Sequence, residues 1–281
     1  LKDLEAVFSL LQQHRLITKG SKCEFLKQEL EFLGHVISIN GVKIDPKKIA
    51  NRQDWKPPAN LRELQIFMGF VSYVRRFIPD MAGVTSPLTD LLKKGKFYEW
   101  GGEQQAAFEQ LNLFLTTSPA LRIADPHPPF ELITDASDLA VGTLLLQDFG
   151  EGLQPIAYES RKLNPAEQTY PVHDKELLAI VHAFKVWCWY VTGADVTART
   201  DHKLLQFIRA QPALNPRQIR WLDYLESKFY YRVTYKRGVS NIADALTRPS
   251  VHTATVLITQ ANPLLTGLFT HGYTTDPWFK R

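Results

Sequence analysis

Three prolines within four residues, Pro126, Pro128 and Pro129, divide this chain more sharply than any other feature of it. Proline has no backbone N–H and its ring fixes φ, so Asp125-Pro-His-Pro-Pro129 can continue neither a helix nor a central strand. A linker is expected there, with different architecture on its two sides. Of the 281 residues 44% are hydrophobic and 22% charged, enough to bury one large core or two modest ones. Two domains is the better expectation. Cys23 and Cys188 stand far apart and offer neither a disulfide framework nor a zinc knuckle, which predicts a reducing compartment and no structural metal. The longest clean apolar run lies around Leu144–Leu146, far below the roughly 18 residues of a membrane-spanning helix, so a soluble chain without a membrane partner is expected. The chain opens Leu1-Lys2-Asp3 with no Met and no apolar signal core, which predicts an unsecreted piece of a longer polyprotein.

Before the linker, Leu4, Val7, Phe8 and Leu11 recur at helical spacing. The stretches 31–38 and 42–44 flank Asn40-Gly41, a dipeptide suited to the positive φ angles of a type I′ turn, and so predict a two-stranded ribbon. Pro57-Pro58 breaks the chain. Asn60 and Glu63 then form a capping pair ahead of Leu64, Phe67, Met68, Val71, Val74 and Ile78, whose spacing predicts one packed helix running to Pro79. A second helix over 103–115 buries Phe108, Leu111 and Leu115.

Beyond the linker three strands are expected, over 130–134, 140–147 and 154–159, forming an antiparallel meander. A helix over 175–191 turns Leu177, Ile180, Val181, Phe184 and Cys188 inward. There follow a strand at 196–200, a short helix at 204–208, a helix at 216–226, a strand at 231–235 and a terminal helix at 241–246. This order, βββαβα(α)βα, predicts a mixed five-stranded sheet with helices packed on it.

Four carboxylates fall where such a sheet would gather them. Asp135 ends the first strand of the meander, Glu176 lies in the first turn of the main helix, Asp201 ends the fourth strand, and Asp244 sits in the last helix. Like charges at one sheet edge are tolerated only if cations neutralise them or protons stay bound. Hard oxygen ligands without nearby Cys or His select Mg²⁺ or Mn²⁺, and two such ions about 3.5 to 4 Å apart can drive in-line displacement at a phosphodiester. Taken singly, each acid also fits a duller role: Asp135 in a turn with Ser137, Glu176 at a helix N-terminus, Asp201 and Asp244 as caps.

The net charge is +4, and it is concentrated. Between Asn215 and Arg248 seven basic residues (Arg217, Arg220, Lys228, Arg232, Lys236, Arg237, Arg248) stand against three acidic ones (Asp223, Glu226, Asp244), so this stretch alone carries +4. A phosphate-facing surface and a solvated helix face fit that bias equally well. Trp187, Trp189, Trp221, Phe229 and Tyr230 could stack on bases, but their spacing beside a sheet favours core positions.

Five segments carry a family resemblance. Thr134-Asp-Ala-Ser-Asp138, Pro155-Ile-Ala-Tyr-Glu-Ser-Arg-Lys-Leu163, Lys175-Glu-Leu-Leu-Ala-Ile180, Arg199-Thr-Asp-His202 and Asn241-Ile-Ala-Asp-Ala-Leu-Thr-Arg248 resemble the ribonuclease H domain of gypsy-type LTR retrotransposon polyproteins. Upstream, Lys22-Cys-Glu-Phe25, Glu31-Phe-Leu-Gly-His-Val-Ile-Ser38, the stretch Phe67–Pro79 and Phe97-Tyr-Glu-Trp100 look like the palm end, primer-grip hairpin, thumb and connecting region of the same reverse transcriptase. The resemblance implies a ribonuclease H-like mixed five-stranded sheet with helices, an α+β/α/β architecture, preceded by a small α+β palm-end and thumb region. Its implied divisions are 1–56 (palm end with primer-grip hairpin), 57–128 (thumb, connecting region and linker), 129–250 (ribonuclease H-like domain) and 251–281 (connector towards integrase).

By that resemblance Asp135, Glu176, Asp201 and Asp244 are the catalytic and metal-binding set, holding Mg²⁺ or Mn²⁺ as two ions. The activity implied is a metal-dependent endonuclease that cuts the RNA strand of RNA/DNA hybrids. The partners implied are that hybrid and the remaining reverse transcriptase and integrase parts of the polyprotein. The expected setting is intracellular: cytoplasmic virus-like particles and the nucleus. Arg217, Arg220, Tyr235, Lys236 and Arg237 are the candidate nucleic-acid contacts, and Tyr235 stands where many ribonucleases H carry a mobile His. No Tyr-x-Asp-Asp motif occurs, so RNA-directed DNA polymerase activity is expected only from a longer polyprotein. His252 and His271 lack a Cys pair and read as surface histidines. A second reading, from another class, is a catalytically silent nucleic-acid-binding or scaffolding remnant of a degenerate element.

Overall fold

Leu33 and Gly34 both adopt positive φ, 48° and 71°, and so split what the hydrophobic pattern draws as a single strand. The computed structural model describes residues 2–25, 27–50, 56–211 and 213–235. Helix α1 (Lys2–Gln13) is followed by three antiparallel strands, β1 (Glu29–Phe32), β2 (His35–Ser38) and β3 (Gly41–Ile44), rather than the expected two-stranded ribbon. Positive φ at both central residues is what a type I′ turn demands, and Leu33-Gly34 supplies it. In the β2–β3 turn Ser38 pairs with Gly41, leaving Ile39 and Asn40 at the centre, and Asn40 is not among the positive-φ residues. Gly41 holds φ 117°, and a Cβ there would fall 2.1 Å from the Leu121 carbonyl oxygen. That close approach lets Val42 and Leu121 exchange backbone hydrogen bonds of 2.7 and 2.9 Å, which tie the small sheet to the rest of the protein.

After α2 (Pro46–Ala50) comes the capped helix α3 (Leu61–Tyr73). The Asn60 side chain accepts the Glu63 N–H at 3.0 Å, and Glu63 reaches back to the Ala59 N–H at 2.9 Å. The helix stops well before Pro79, and a 3₁₀ turn at Arg75–Phe77 carries Phe77 and Ile78 into the core instead. Two short helices, α4 (Met81–Val84) and α5 (Ser86–Leu91), precede α6 (Gly102–Thr117), which buries Phe108, Leu111 and Leu115 as its spacing predicts.

The proline run is irregular and is held by one side chain. Gln147 accepts the Asp125 N–H at 2.9 Å and donates to the carbonyls of Asp125 and Pro128 at 2.7 and 2.9 Å. The meander follows as β4 (Phe130–Ala136), β5 (Ala140–Asp148) and β6 (Leu153–Lys162). Next come α7 (Pro165–Gln168), α8 (Val172–Val186), α9 (Cys188–Val191), β7 (Asp195–Thr200), a 3₁₀ turn at Lys203–Ala210, α10 (Pro216–Glu226) and β8 (Tyr230–Tyr235). The strand order is β6-β5-β4-β7-β8, with β7 parallel to both β4 and β8. The mixed five-stranded sheet read from the element order is therefore present. The helix expected over 175–191 begins earlier, at Val172, and breaks at Trp187 between α8 and α9. The helix expected at 241–246, like residues 251–281 with His252 and His271, lies outside the described residues.

Both sheet faces are covered. Phe130, Leu132, Leu145, Val196 and Ala198 pack against Leu177, Ile180, Val181 and Phe184 of α8. On the other face Ile133, Leu144, Leu146 and Tyr158 join Leu64, Phe67, Val71 and Leu111 from the helices that precede the prolines. Such two-sided burial explains why β5 reads as a nearly continuous apolar run. Of the aromatic residues expected inside, Trp187 and Phe229 are buried, but Trp189 is 93% and Tyr230 71% exposed. Trp189 follows the helix break, and Tyr230 opens the edge strand β8. Among the described residues no helix is long and apolar enough to cross a membrane.

Candidate metal centre

Parallel neighbours end at the same edge of a sheet, so the C-terminal ends of β4 and β7 bring Asp135 and Asp201 together. Helix α8 packs across β4 and delivers Glu176 between them. One carboxylate oxygen from each of the three lies within 4.8 Å of the others. Asp135 and Glu176 are buried. Glu176 is aimed by two donors: the Ala136 N–H at 3.1 Å from one oxygen and the Thr200 hydroxyl at 3.2 Å from the other. Burial, reinforced by the charges of Asp135 and Asp201, pushes the Glu176 carboxyl up to about 9. With no cation bound, the cluster therefore keeps a proton at neutral pH. An all-oxygen set under such mutual repulsion fits a hard divalent cation such as Mg²⁺ or Mn²⁺.

Neighbouring residues, where the structure describes them, bear on the duller roles. Ser137 organises the turn after β4, its hydroxyl oxygen accepting the N–H groups of Leu139 and Ala140 at 3.2 and 3.0 Å. The 3₁₀ turn after Asp201 has no side-chain cap. Glu176 lies beyond the first turn of α8, contrary to expectation, because the helix starts at Val172 and its first-turn acid is Asp174. Asp244, Lys236 and Arg237 lie outside the described residues.

The remaining candidates separate clearly. Arg220 is solvent-exposed on α10, and Tyr235 is exposed at the end of β8. Arg217 instead turns inward: it is ion-paired with Asp174, and its guanidinium sits 3.6 Å from the centre of the Tyr170 ring. Asp174 carries no spacing signal that sequence reading could use, since the hydrogen-bond donors described for it lie more than forty residues away in the chain. Glu159 on β6 was likewise illegible; it is buried and meets both Arg75 and His182. His202 neighbours the cluster, and burial, then the nearby His173, lowers its pKa.

The profile of the RNase H-like domain found in reverse transcriptase matches residues 125–229, the stretch holding all three clustered acids. This stretch is a reverse-transcriptase RNase H-like domain. The chain that carries it is 36% identical, over 88% of its length, to the Tf2-3 and Tf2-4 transposon polyproteins of Schizosaccharomyces pombe, and it spans 19% of theirs. The likeness to LTR retrotransposon polyproteins of the gypsy type read from the motifs therefore holds along nearly the whole chain. Solved foamy viral protease–reverse transcriptase structures share the fold. One, in complex with double-stranded DNA, has a TM-score of 0.69 at 24% identity, covering 89% of this chain and 43% of its own. Another, in complex with an RNA/DNA hybrid, has the same score and identity, covering 89% of this chain and 34% of its own. The RNase H-like domain thus follows a helical region whose core it shares.

Proposed function

We propose that the chain is a divalent-metal-dependent endonuclease that hydrolyses the RNA strand of RNA/DNA hybrids, as the C-terminal part of a retrotransposon reverse transcriptase. The observation that carries this reading is the convergence of Asp135, Glu176 and Asp201 within 4.8 Å. Asp244 is proposed as the fourth acid. When bound, a pair of divalent cations would supply an activated water and charge neutralisation at the leaving oxygen. The chain's own residues set the geometry. Asp135 is fixed on a central strand, and Glu176 is oriented by the Ala136 N–H and the Thr200 hydroxyl, so little reorganisation is needed at the moment of reaction.

The hybrid is proposed as substrate on the strength of the domain family and of a foamy viral neighbour of the same fold that holds one. Discrimination would come from 2′-hydroxyls in the wide minor groove rather than from base sequence. Arg220 and Tyr235, with Lys236 and Arg237, are proposed to meet the backbone. The remaining reverse transcriptase and integrase parts of a polyprotein are the proposed partners, in an intracellular setting.

Incubating the chain with a strand-labelled RNA/DNA hybrid, in Mg²⁺ and in chelator, tests the proposal. RNA fragments are expected only with Mg²⁺, with no cut in duplex DNA and no primer extension. A folded chain that leaves the hybrid intact in both Mg²⁺ and Mn²⁺ would overturn it and favour a silent binding remnant.

A further inference from the structure

Asp174 is completely buried, two residues before Glu176 on α8. A carboxylate without solvent needs a cation and further donors to offset its desolvation. Among the described residues its hydrogen-bond donors come from the start of α10: an Arg217 guanidinium N–H, the Gln218 side-chain amide at 2.7 Å, and the Asn215 side-chain amide at 3.3 Å; the neighbouring His173 Nε2 stands off at 3.6 Å. That turn is itself rigid, because the Asn215 side-chain oxygen accepts the N–H groups of Arg217 and Gln218 at 3.0 and 2.9 Å. The other face of the Arg217 guanidinium covers Tyr170, the residue before the Pro171 cap of α8. Arg217 therefore grips the start of α8 at two points, one on each side of the cap.

We infer that Arg217 is a positioning residue for the acidic centre, acting through Asp174 and Tyr170, and not a phosphate contact. Drawing the guanidinium out to a phosphate would strand a buried carboxylate, so nucleic acid competes poorly for it. The helix it holds delivers Glu176, whose hydrogen bonds to Ala136 and Thr200 fix only the end of the side chain. Lys175, which donates to Asp138 at 2.8 Å, and the packing of Leu177 hold the helix from the sheet side, and the first turn of α10 holds the turn that precedes them. The inference deepens the nuclease reading above and rests on it for its cleavage readout, but not for its binding readouts.

The test uses the full chain, comparing wild type, Arg217→Gln, and the double variant Asp174→Asn/Arg217→Gln, in which no buried charge is left alone. Hybrid affinity is measured in Ca²⁺ across a salt series, Mn²⁺ affinity by titration without nucleic acid, and cleavage in Mg²⁺ as separate kcat and KM. The expected result is an unchanged salt slope, with Mn²⁺ affinity and kcat both down about 10- to 100-fold and KM little altered. If Arg217→Gln does not fold, the double variant gives the same readouts. A slope reduced by about 0.9, the signature of one lost phosphate contact, would overturn the inference, as would wild-type Mn²⁺ affinity in a folded variant. A wild-type chain that binds Mn²⁺ yet cuts no hybrid would refute the nuclease reading alone, leaving the salt and Mn²⁺ results to judge Arg217.

Discussion

Glu159 and His182 lie 3.1 Å apart, joining the edge strand β6 to the helix that delivers Glu176. The same Glu159 oxygen accepts from Arg75, which reaches in from the helical region before the prolines. Three layers thus meet at one buried carboxylate. Because Arg75 is half-exposed, its loss should cost less than breaking a fully buried pair, about 1–3 kcal/mol. A double-mutant cycle of Arg75→Ala and Glu159→Gln in urea should give a coupling of at least about 0.5 kcal/mol. Strict additivity would show that the contact holds nothing together.

Asp80 is a second buried acid with a legible pH signature. Its backbone has φ 45°, its side chain accepts the Gly83 N–H at 3.0 Å, and burial pushes its carboxyl up to about 7. The unfolded chain titrates near 3.9. Between those values the native state binds more protons, so this group's contribution makes stability fall as pH rises from about 4 to about 7. Below that window both states are protonated and there is no effect; above it the native state bears the full penalty. Asp80→Asn keeps an acceptor for Gly83 and tolerates the left-handed backbone. It should gain about 1–3 kcal/mol at pH 8 and almost nothing at pH 4. Equal gains at both pH values would refute this account.

Asp135→Asn should abolish hybrid cleavage while raising the melting temperature in chelator, since it relieves repulsion within the cluster. Wild type should gain stability from Mg²⁺ or Mn²⁺, about 2.7 kcal/mol at a hundredfold excess over Kd, and the variant should lose most of that gain. Thermal melts with and without the ion decide it. Wild-type cleavage by the variant would remove Asp135 from the site.

Arg217 is only partly exposed and is ion-paired with Asp174, whereas Arg220 is exposed. Replacing it with Ala should lower the slope of log affinity against log salt by about 0.9 if it neutralises one phosphate. An unaltered slope would take α10 off the nucleic-acid surface.

What could be read ahead of the structure was whatever depends on short-range pattern. Asn60 and Glu63 announce their helix because a cap is a local arrangement. The alternation and order of apolar runs announce the five strands, and the parallel pairing of β4 with β7 follows from that order, so the meeting of Asp135 with Asp201 was legible too. The turn at Leu33-Gly34 was not, because Leu is a poor marker of positive φ and the tempting Asn40-Gly41 lay close by. The ties of Asp174 to Arg217 and of Glu159 to Arg75 were invisible for another reason. They join residues 43 and 84 positions apart, and no periodicity links such partners.

The core shared across the proline run sets where the protein can be divided. A fragment beginning at Phe130 would hold every strand of the five-stranded sheet, yet Ile133, Leu144, Leu146 and Tyr158 would lose the helices that cover them. Four large side chains on one flat face would make a sticky, aggregation-prone surface. The unit to express and crystallise is therefore the RNase H-like domain together with its helical neighbour, although the prolines invite a cut between them.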